Sequence, residues 1–311
     1  MADFDRPALV QFAQDSISRG SKSFRFASRL FDRTTRERVW LLYAWCRKCD
    51  DMADGQDHGG AMAAVTDPQE SLAAIRTLTA KALAGIPTGE PAFDCLGVVA
   101  RECGITARMA EDVIEGFALD AADWHPRRES DLYQYCYHVA GAVGVMMAVV
   151  MGVPADDDAT LDRACDLGLA FQLANIARDI AEDDAAGRCY LPDDWLATLD
   201  IAPGEHMKPH NRKKLALMGR WLADEAEQYE ASARVGAAHL PLRARWAVLS
   251  AAGIYGEIAR KVRAADSHAW DQRIFTSRPE KFRWVRKAFV DAVANNPRAM
   301  DRDALWTRAR V

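Results

Sequence analysis

Proline is missing from three long stretches of this chain: none lies between Pro7 and Pro68, between Pro154 and Pro192, or between Pro209 and Pro241. Proline is expelled from helix interiors, so these intervals leave room for long helices. Period-two runs joined by hairpin turns are also lacking. Apolar residues instead recur at three- and four-residue spacing, as at Val39, Leu42, Tyr43 and Cys46, which is helix periodicity. The expected fold is all-α, with helices over about 7–19, 34–54, 68–84, 92–103, 106–122, 129–152, 157–184, 209–237, 242–268 and 280–295.

Other absences narrow the class. The most apolar stretch, 139–153, is broken by Gly141, Gly144 and Gly152 and falls short of the roughly 20 residues a spanning helix needs. The opening MADFDRPALVQFAQ has no basic region followed by an apolar one, so no secretory signal is expected and the expected location is cytoplasmic. No Gly/Ser linker or low-complexity tract divides the chain, which predicts one domain over 1–311 with its core at about 20–295. Surface loops are expected at 58–68 and around 86–91, and AAGRCYLP (185–192) reads as a loop where a lid could sit. With 40 Lys and Arg against 45 Asp and Glu the net charge is −5, so there is no basic stripe and no nucleic-acid partner is expected. Seven cysteines at 46, 49, 95, 103, 136, 165 and 189 lack paired spacing, which suggests reduced thiols. Cys46 and Cys49 form one C-x-x-C, but no second pair completes a zinc site, so the pair is read as packing.

What the chain does have is two acidic motifs at the ends of strongly apolar helices. The first reads Cys49-Asp50-Asp51-Met52-Ala53-Asp54 after VWLLYAWC. Positions i and i+4 differ by about 40° of rotation, so Asp50 and Asp54 share one helical face. The second follows LGLAFQLANIA, where Asn175, Asp179 and Asp183 at i, i+4 and i+8 form one stripe, with Gln172, Arg178 and Glu182 on neighbouring positions. Like charges at this spacing repel, and charge beside apolar helices is expensive. A hard divalent cation relieves both, and magnesium prefers a few carboxylates with positions left for water and phosphate oxygens. Two solvated acidic patches are the plainer alternative. Lys22, in the polar interruption GSKSF, Arg47 and Arg178 lie near the carboxylates, where cations could receive phosphate. The run YCYHVAGAVG (135–144) is aromatic and then small. It allows either close helix packing or room for a hydrocarbon chain, and the residues alone do not choose. His138 reads as structural, and Asp120 and Asp166 have no assigned role.

The segments GSKSF (20–24), LYAWCRKCDDMAD (42–54), EGFALD (115–120), YCYHVAGAVGVMM (135–147), LGLAFQLANIARDIAEDDAAGRCYLP (167–192) and LPLRARWAV (240–248) resemble the squalene/phytoene synthase family, and within it the bacterial phytoene-forming branch. They run in family order over about 20–275. The resemblance implies a class I isoprenoid synthase helical bundle around a central cavity. Its implied reaction is head-to-head condensation of two geranylgeranyl diphosphates to phytoene through a cyclopropylcarbinyl diphosphate, the first committed step of carotenoid synthesis. It also implies magnesium, with manganese as a substitute, held by Asp50, Asp54, Asn175, Asp179 and Asp183, and diphosphate contacts from Ser21, Lys22, Tyr43, Arg47, Gln172, Arg178, Tyr255 and Arg273. Tyr135 would lie near the reacting carbons and, with Asp50, Asp54, Asp179 and Asp183, would form the catalytic set. Some relatives making dehydrosqualene carry His where this chain has Gly20, a departure that removes one diphosphate contact of that branch and favours the phytoene-type reading. No dinucleotide fingerprint is seen, so NADPH is not expected, and DALWTRARV offers no apolar tail like that of eukaryotic squalene synthases. Two alternatives remain: squalene or dehydrosqualene synthesis from farnesyl diphosphate, or a silent helical assembly protein. The product's apolarity leaves open a peripheral contact with the inner membrane and with downstream carotenoid enzymes.

Overall fold

The computed structural model describes residues 5–20, 27–54, 68–122 and 124–309. Ser21 and Lys22, most of the 58–68 loop and the side chain of Asp54 lie outside the described residues. Every regular element among the described residues is helical, as the spacing predicts. The chain groups into two compact units, 1–122 with 145–161, and 123–144 with 162–311.

The first unit contains α1 (Arg6–Gly20), α2 (Arg33–Asp54), α3 (Pro68–Leu83), α4 (Pro91–Cys103) and α5 (Ala107–Ala121). Helix α2 packs against α1, α3 and α4. It buries Val39, Leu41, Leu42, Trp45 and Cys49 completely or nearly so, and each large side chain of this kind contributes about 1.5–3 kcal/mol. The Trp45 indole N–H donates to Thr79 Oγ1 at 3.2 Å, so the buried ring leaves no unmet donor. Helix α4 starts on Pro91 in its first turn and ends on Gly104 at φ 79°, a left-handed C-terminal cap that glycine adopts without strain. All seven cysteines are free thiols. Burial pushes the Cys46 thiol up to about 12, as fits the packing role expected for the C-x-x-C.

The second unit contains α6 (Glu129–Cys136), a π-helical turn (Tyr137–Gly141), α8 (Asp158–Ala185), α9 (Asp193–Thr198), α10 (Arg212–Ala237), α11 (Leu242–Ala265) and α12 (Arg278–Ala294). Helix α7 (Ala142–Val150) and α8 each contain a boundary between the units. The continuous helix expected over 129–152 is therefore interrupted, because one extra residue is accommodated at Tyr137–Gly141. Helix α9 has no counterpart in the sequence reading, being too short to show periodicity. Asp166, unassigned from sequence, is fully buried and holds the C-terminal segment. Arg302 Nε and Nη2 reach its two oxygens at 2.7 and 2.8 Å, and the Ser232 hydroxyl donates to it at 2.5 Å.

Candidate active site

In the first unit the candidate groups sit on one end of α2. Arg47 Nη1 lies 2.7 Å from Asp50 Oδ2, and its Nη2 lies 2.7 Å from Asp51 Oδ1. The Arg47 Nε–H is buried and has no partner among the described residues. Tyr43 lies one turn before Arg47, its hydroxyl in the space a Cβ at position 20 would fill. Gly20 therefore does more than depart from the family pattern: its missing side chain admits the Tyr43 hydroxyl against the end of α1. Burial raises the Tyr43 phenol above its ordinary value, so it stays protonated and able to donate.

In the second unit α8 presents Gln172, Asn175, Arg178, Asp179 and Asp183 as a partly exposed stripe, while Leu173, Ala174, Ile176, Ala177 and Ile180 between them are buried. Arg178 grips Asp179 through both Nε and Nη2, with Nε at 2.7 Å from Oδ1. Arg273, beyond α11, also reaches Asp179 Oδ1 at 2.9 Å and Glu182 Oε1 at 3.3 Å. Trp270, from the same turn, anchors it by donating to the Ala177 carbonyl at 3.0 Å. Tyr255 stacks on Phe171 with ring centroids 4.3 Å apart. Burial raises its hydroxyl pKa, and the Arg178 charge opposes the shift.

A second aromatic group surrounds Tyr135, which is 3% exposed. Trp124 stacks on it at 5.2 Å and Tyr190 at 4.9 Å. Neither Trp124 nor Tyr190 was singled out from sequence, since lone aromatics in loops carry no periodic signal. The 185–192 loop that holds Tyr190 is pinned on both sides: the Arg188 N–H donates to the Asp183 carbonyl at 2.8 Å, and the Asp193 N–H to the Pro126 carbonyl at 3.1 Å. The ambiguity over 140–144 also resolves. A Cβ on Gly144 would come within 2.5 Å of the Ala164 carbonyl oxygen, and one on Gly168 within 2.6 Å of Gly141 Cα. These glycines let two helices touch backbone to backbone, which is the packing alternative.

The α8 donor set is all oxygen, a carboxamide and carboxylates, which suits a hard divalent cation. Asp183 is pushed up to about 6, first by burial and then by the Asp179 charge. The side chains of Gln172 and Asn175 make no hydrogen bond to a described residue, so their amide oxygens are available. Among the described residues no three His, Cys, Asp or Glu converge as a metal cluster, and Asp179 and Glu182 instead engage Arg178 and Arg273. The residues thus fit a divalent cation in donor chemistry. The same guanidinium forks match a diphosphate.

Comparison with known proteins gives a consistent result. Residues 17–280 match the family model described as squalene/phytoene synthase. The chain is 46% identical over 307 residues to a phytoene synthase of Pseudescherichia vulneris, covering 97% of this chain and 99% of the relative. It is 46% identical over 297 residues to a 15-cis-phytoene synthase of Pantoea ananas, covering 95% and 96%. Among solved structures, a dehydrosqualene synthase with bound ligand superposes with a TM-score of 0.81 at 26% identity, covering 93% of this chain and 98% of that one. A squalene synthase from Alicyclobacillus acidocaldarius shares the fold with a TM-score of 0.74 at 21% identity, over 85% and 97%.

Proposed function

The chain belongs to the squalene/phytoene synthase family, and from that premise we propose that it joins two geranylgeranyl diphosphates head to head to give phytoene, the entry step of carotenoid synthesis. The observation that carries this reading is the near end-to-end overlap with phytoene synthases, at far higher identity than with the dehydrosqualene synthase. The family match runs through both units, which supports treating 1–311 as one isoprenoid synthase domain.

When bound, a divalent cation, magnesium with manganese as its substitute, neutralises the departing diphosphate. Such ions would be held by Asp50 and Asp54 on α2, and by Asn175, Asp179 and Asp183 on α8. Arg47, Arg178 and Arg273 already present guanidinium groups engaged with carboxylates. A diphosphate displaces those carboxylates as acceptor and gains bidentate, charge-assisted bonds. Ser21, Lys22, Tyr43, Gln172 and Tyr255 complete the proposed diphosphate contacts. Loss of diphosphate from one substrate leaves an allylic cation, which the second substrate's double bond attacks; the tertiary cation so formed loses a proton as the three-membered ring closes to the cyclopropylcarbinyl diphosphate. A second ionisation, rearrangement and proton loss give the product, so no hydride donor and no NADPH is required. Tyr135, held between two rings, keeps a dry and rigid surface beside these cations.

Among the described residues no helix is long and apolar enough to cross a membrane. The hydrocarbon product supports a cytoplasmic enzyme in peripheral contact with the inner membrane, passing phytoene to the next carotenoid enzyme. The test is product analysis with purified protein, magnesium and either geranylgeranyl or farnesyl diphosphate, with and without NADPH. Phytoene from the C20 substrate is expected. A C30 product formed in preference would sink the reading, and no product from folded protein would favour a silent relative.

A further inference from the structure

Helix α12 carries four of the eight exposed large hydrophobic side chains among the described residues. Phe282, at 65% exposed, and Val290, at 64%, stand out with Phe289 and Val293, and at 3.6 residues per turn the four fall within an arc of about 100° on one side of the helix. Five basic residues, Arg278, Lys281, Arg283, Arg286 and Lys287, flank this stripe against two acidic ones, Glu280 and Asp291. Five minus two leaves α12 at +3 in a chain whose net charge is −5.

A cavity of about 720 Å³ opens on one flank of the same helix, where Lys287 and Asp291 form part of its wall. Arg234, Arg245, Arg260 and Arg298 also line it, and Glu230 and Asp291 supply its carboxylates. Five cations against two anions again leave +3. The carboxylates are already shared: Glu230 pairs with Arg234 and Arg260, and Asp291 with Lys287. Arg245 spends its terminal nitrogens on the Ala292 and Leu240 carbonyls, and its buried Nε–H has no partner among the described residues. Arg298 pairs with no described residue. The floor is fixed, because Trp284 closes over Gly253 with ring atoms 2.6 Å from where a Cβ would stand, while Arg260 lies over the ring at 4.8 Å. None of the cavity's residues belongs to the proposed catalytic set.

We propose that the outer face of α12 docks on an anionic membrane, with Phe282, Phe289, Val290 and Val293 entering the bilayer interface and the neighbouring cationic cavity receiving the phosphate headgroup of an acidic phospholipid. A basic helix with an apolar stripe has the composition of an interfacial anchor, and the surface potential of acidic lipid attracts each basic residue by about 1 kcal/mol. A second copy of this chain fits poorly: in a two-fold pairing the same patch meets itself, and +3 would face +3. The proposal rests on the phytoene reading only in that an apolar product needs an apolar outlet.

The test is sedimentation of the full chain with vesicles in the absence of substrate, so its failure is separate from any failure of the synthase reading. Vesicles of phosphatidylcholine alone are compared with vesicles containing about one part in three phosphatidylglycerol. Sedimentation with the acidic vesicles alone is expected, weakening with added salt. Phe282→Ser with Val293→Ser should lower partitioning about tenfold or more. Lys287→Gln with Arg298→Gln should lower it about fivefold per charge removed, and both pairs should keep normal circular dichroism and activity on detergent-dispersed substrate. Absence of binding to acidic vesicles overturns the proposal, as does binding unchanged in both variants. Two further outcomes would also overturn it: a wild-type dimer that the Ser pair converts to monomer, and stabilisation by inorganic phosphate without vesicle binding, which would make the cavity a free-anion site.

Discussion

Arg273, from the turn after α11, holds Asp179 of α8 at 2.9 Å, so that one carboxylate is shared between it and Arg178. Nothing in the local sequence pattern around Arg273 ties it to α8. The structure supplies the tie through Trp270, whose bond to the Ala177 carbonyl sets the turn.

The two ends of this pair predict different outcomes. Arg273 is more than half exposed, so Arg273→Ala should cost less than about 1 kcal/mol of stability. It should lower kcat/KM on the order of 10²-fold by removing a proposed diphosphate contact. Asp179→Asn should abolish measurable turnover and also cost about 1–3 kcal/mol, since Arg178 is left with a less compensating partner in a largely buried place. Chemical denaturation and steady-state kinetics on both proteins check this. Near-normal activity in Asp179→Asn would remove Asp179 from the proposed ligand set.

Gly20 and Tyr43 form a coupled pair, because a Cβ at position 20 would overlap the Tyr43 hydroxyl. Gly20→Ala should therefore move the phenol and lower kcat/KM about tenfold with little loss of stability. In a Tyr43→Phe background, where the overlapping oxygen is gone, adding Gly20→Ala should change kcat/KM by less than about twofold. Independent effects of the two substitutions would show that Gly20 serves the chain turn and not the tyrosine.

Helix positions were readable because α2, α8, α10 and α11 are long enough to repeat their apolar faces several times, and the acidic motifs were readable because i, i+4 spacing on a helix is geometry. The rest depended on tertiary contact. The π-helical turn at Tyr137–Gly141 arises where small residues meet α8, and no periodicity announces it. Trp124 and Tyr190 come from loops on either side of Tyr135 in sequence. Asp166 looked like another acid on α8, and its partner Arg302 lies far along the chain.

Backbone contact at Gly168 predicts a purely structural lesion. A Cβ there would strike the Ala140 carbonyl and the Gly141 Cα, and main chain on both helices cannot swing aside as a side-chain tip can. Gly168→Ala should destabilise by about 1–3 kcal/mol or more, read as a lower urea midpoint with an unchanged slope. Activity measured well below the new midpoint should stay within a few-fold of wild type, because no proposed diphosphate or metal contact is removed.

Glu280 supplies the pH prediction. It closes the capping box at the start of α12, accepting from the Ser277 N–H and hydroxyl at 2.7 Å each, and it pairs with Lys261 at 2.7 Å. These donors, Lys261 first, hold its carboxyl down to about 2, against an ordinary 4.5. A depressed carboxylate stabilises the fold fully above its unfolded value and loses that contribution as pH falls from 4.5 towards 2. Glu280→Gln should therefore melt below wild type at neutral pH, and the gap should shrink through that window and close near its lower end. Added salt should narrow the neutral-pH gap, since the Lys261 pair is partly solvent-screened. Thermal melts of both proteins across the range decide it: a gap that persists undiminished at the acid end would mean the side chain acts by packing and not by its charge.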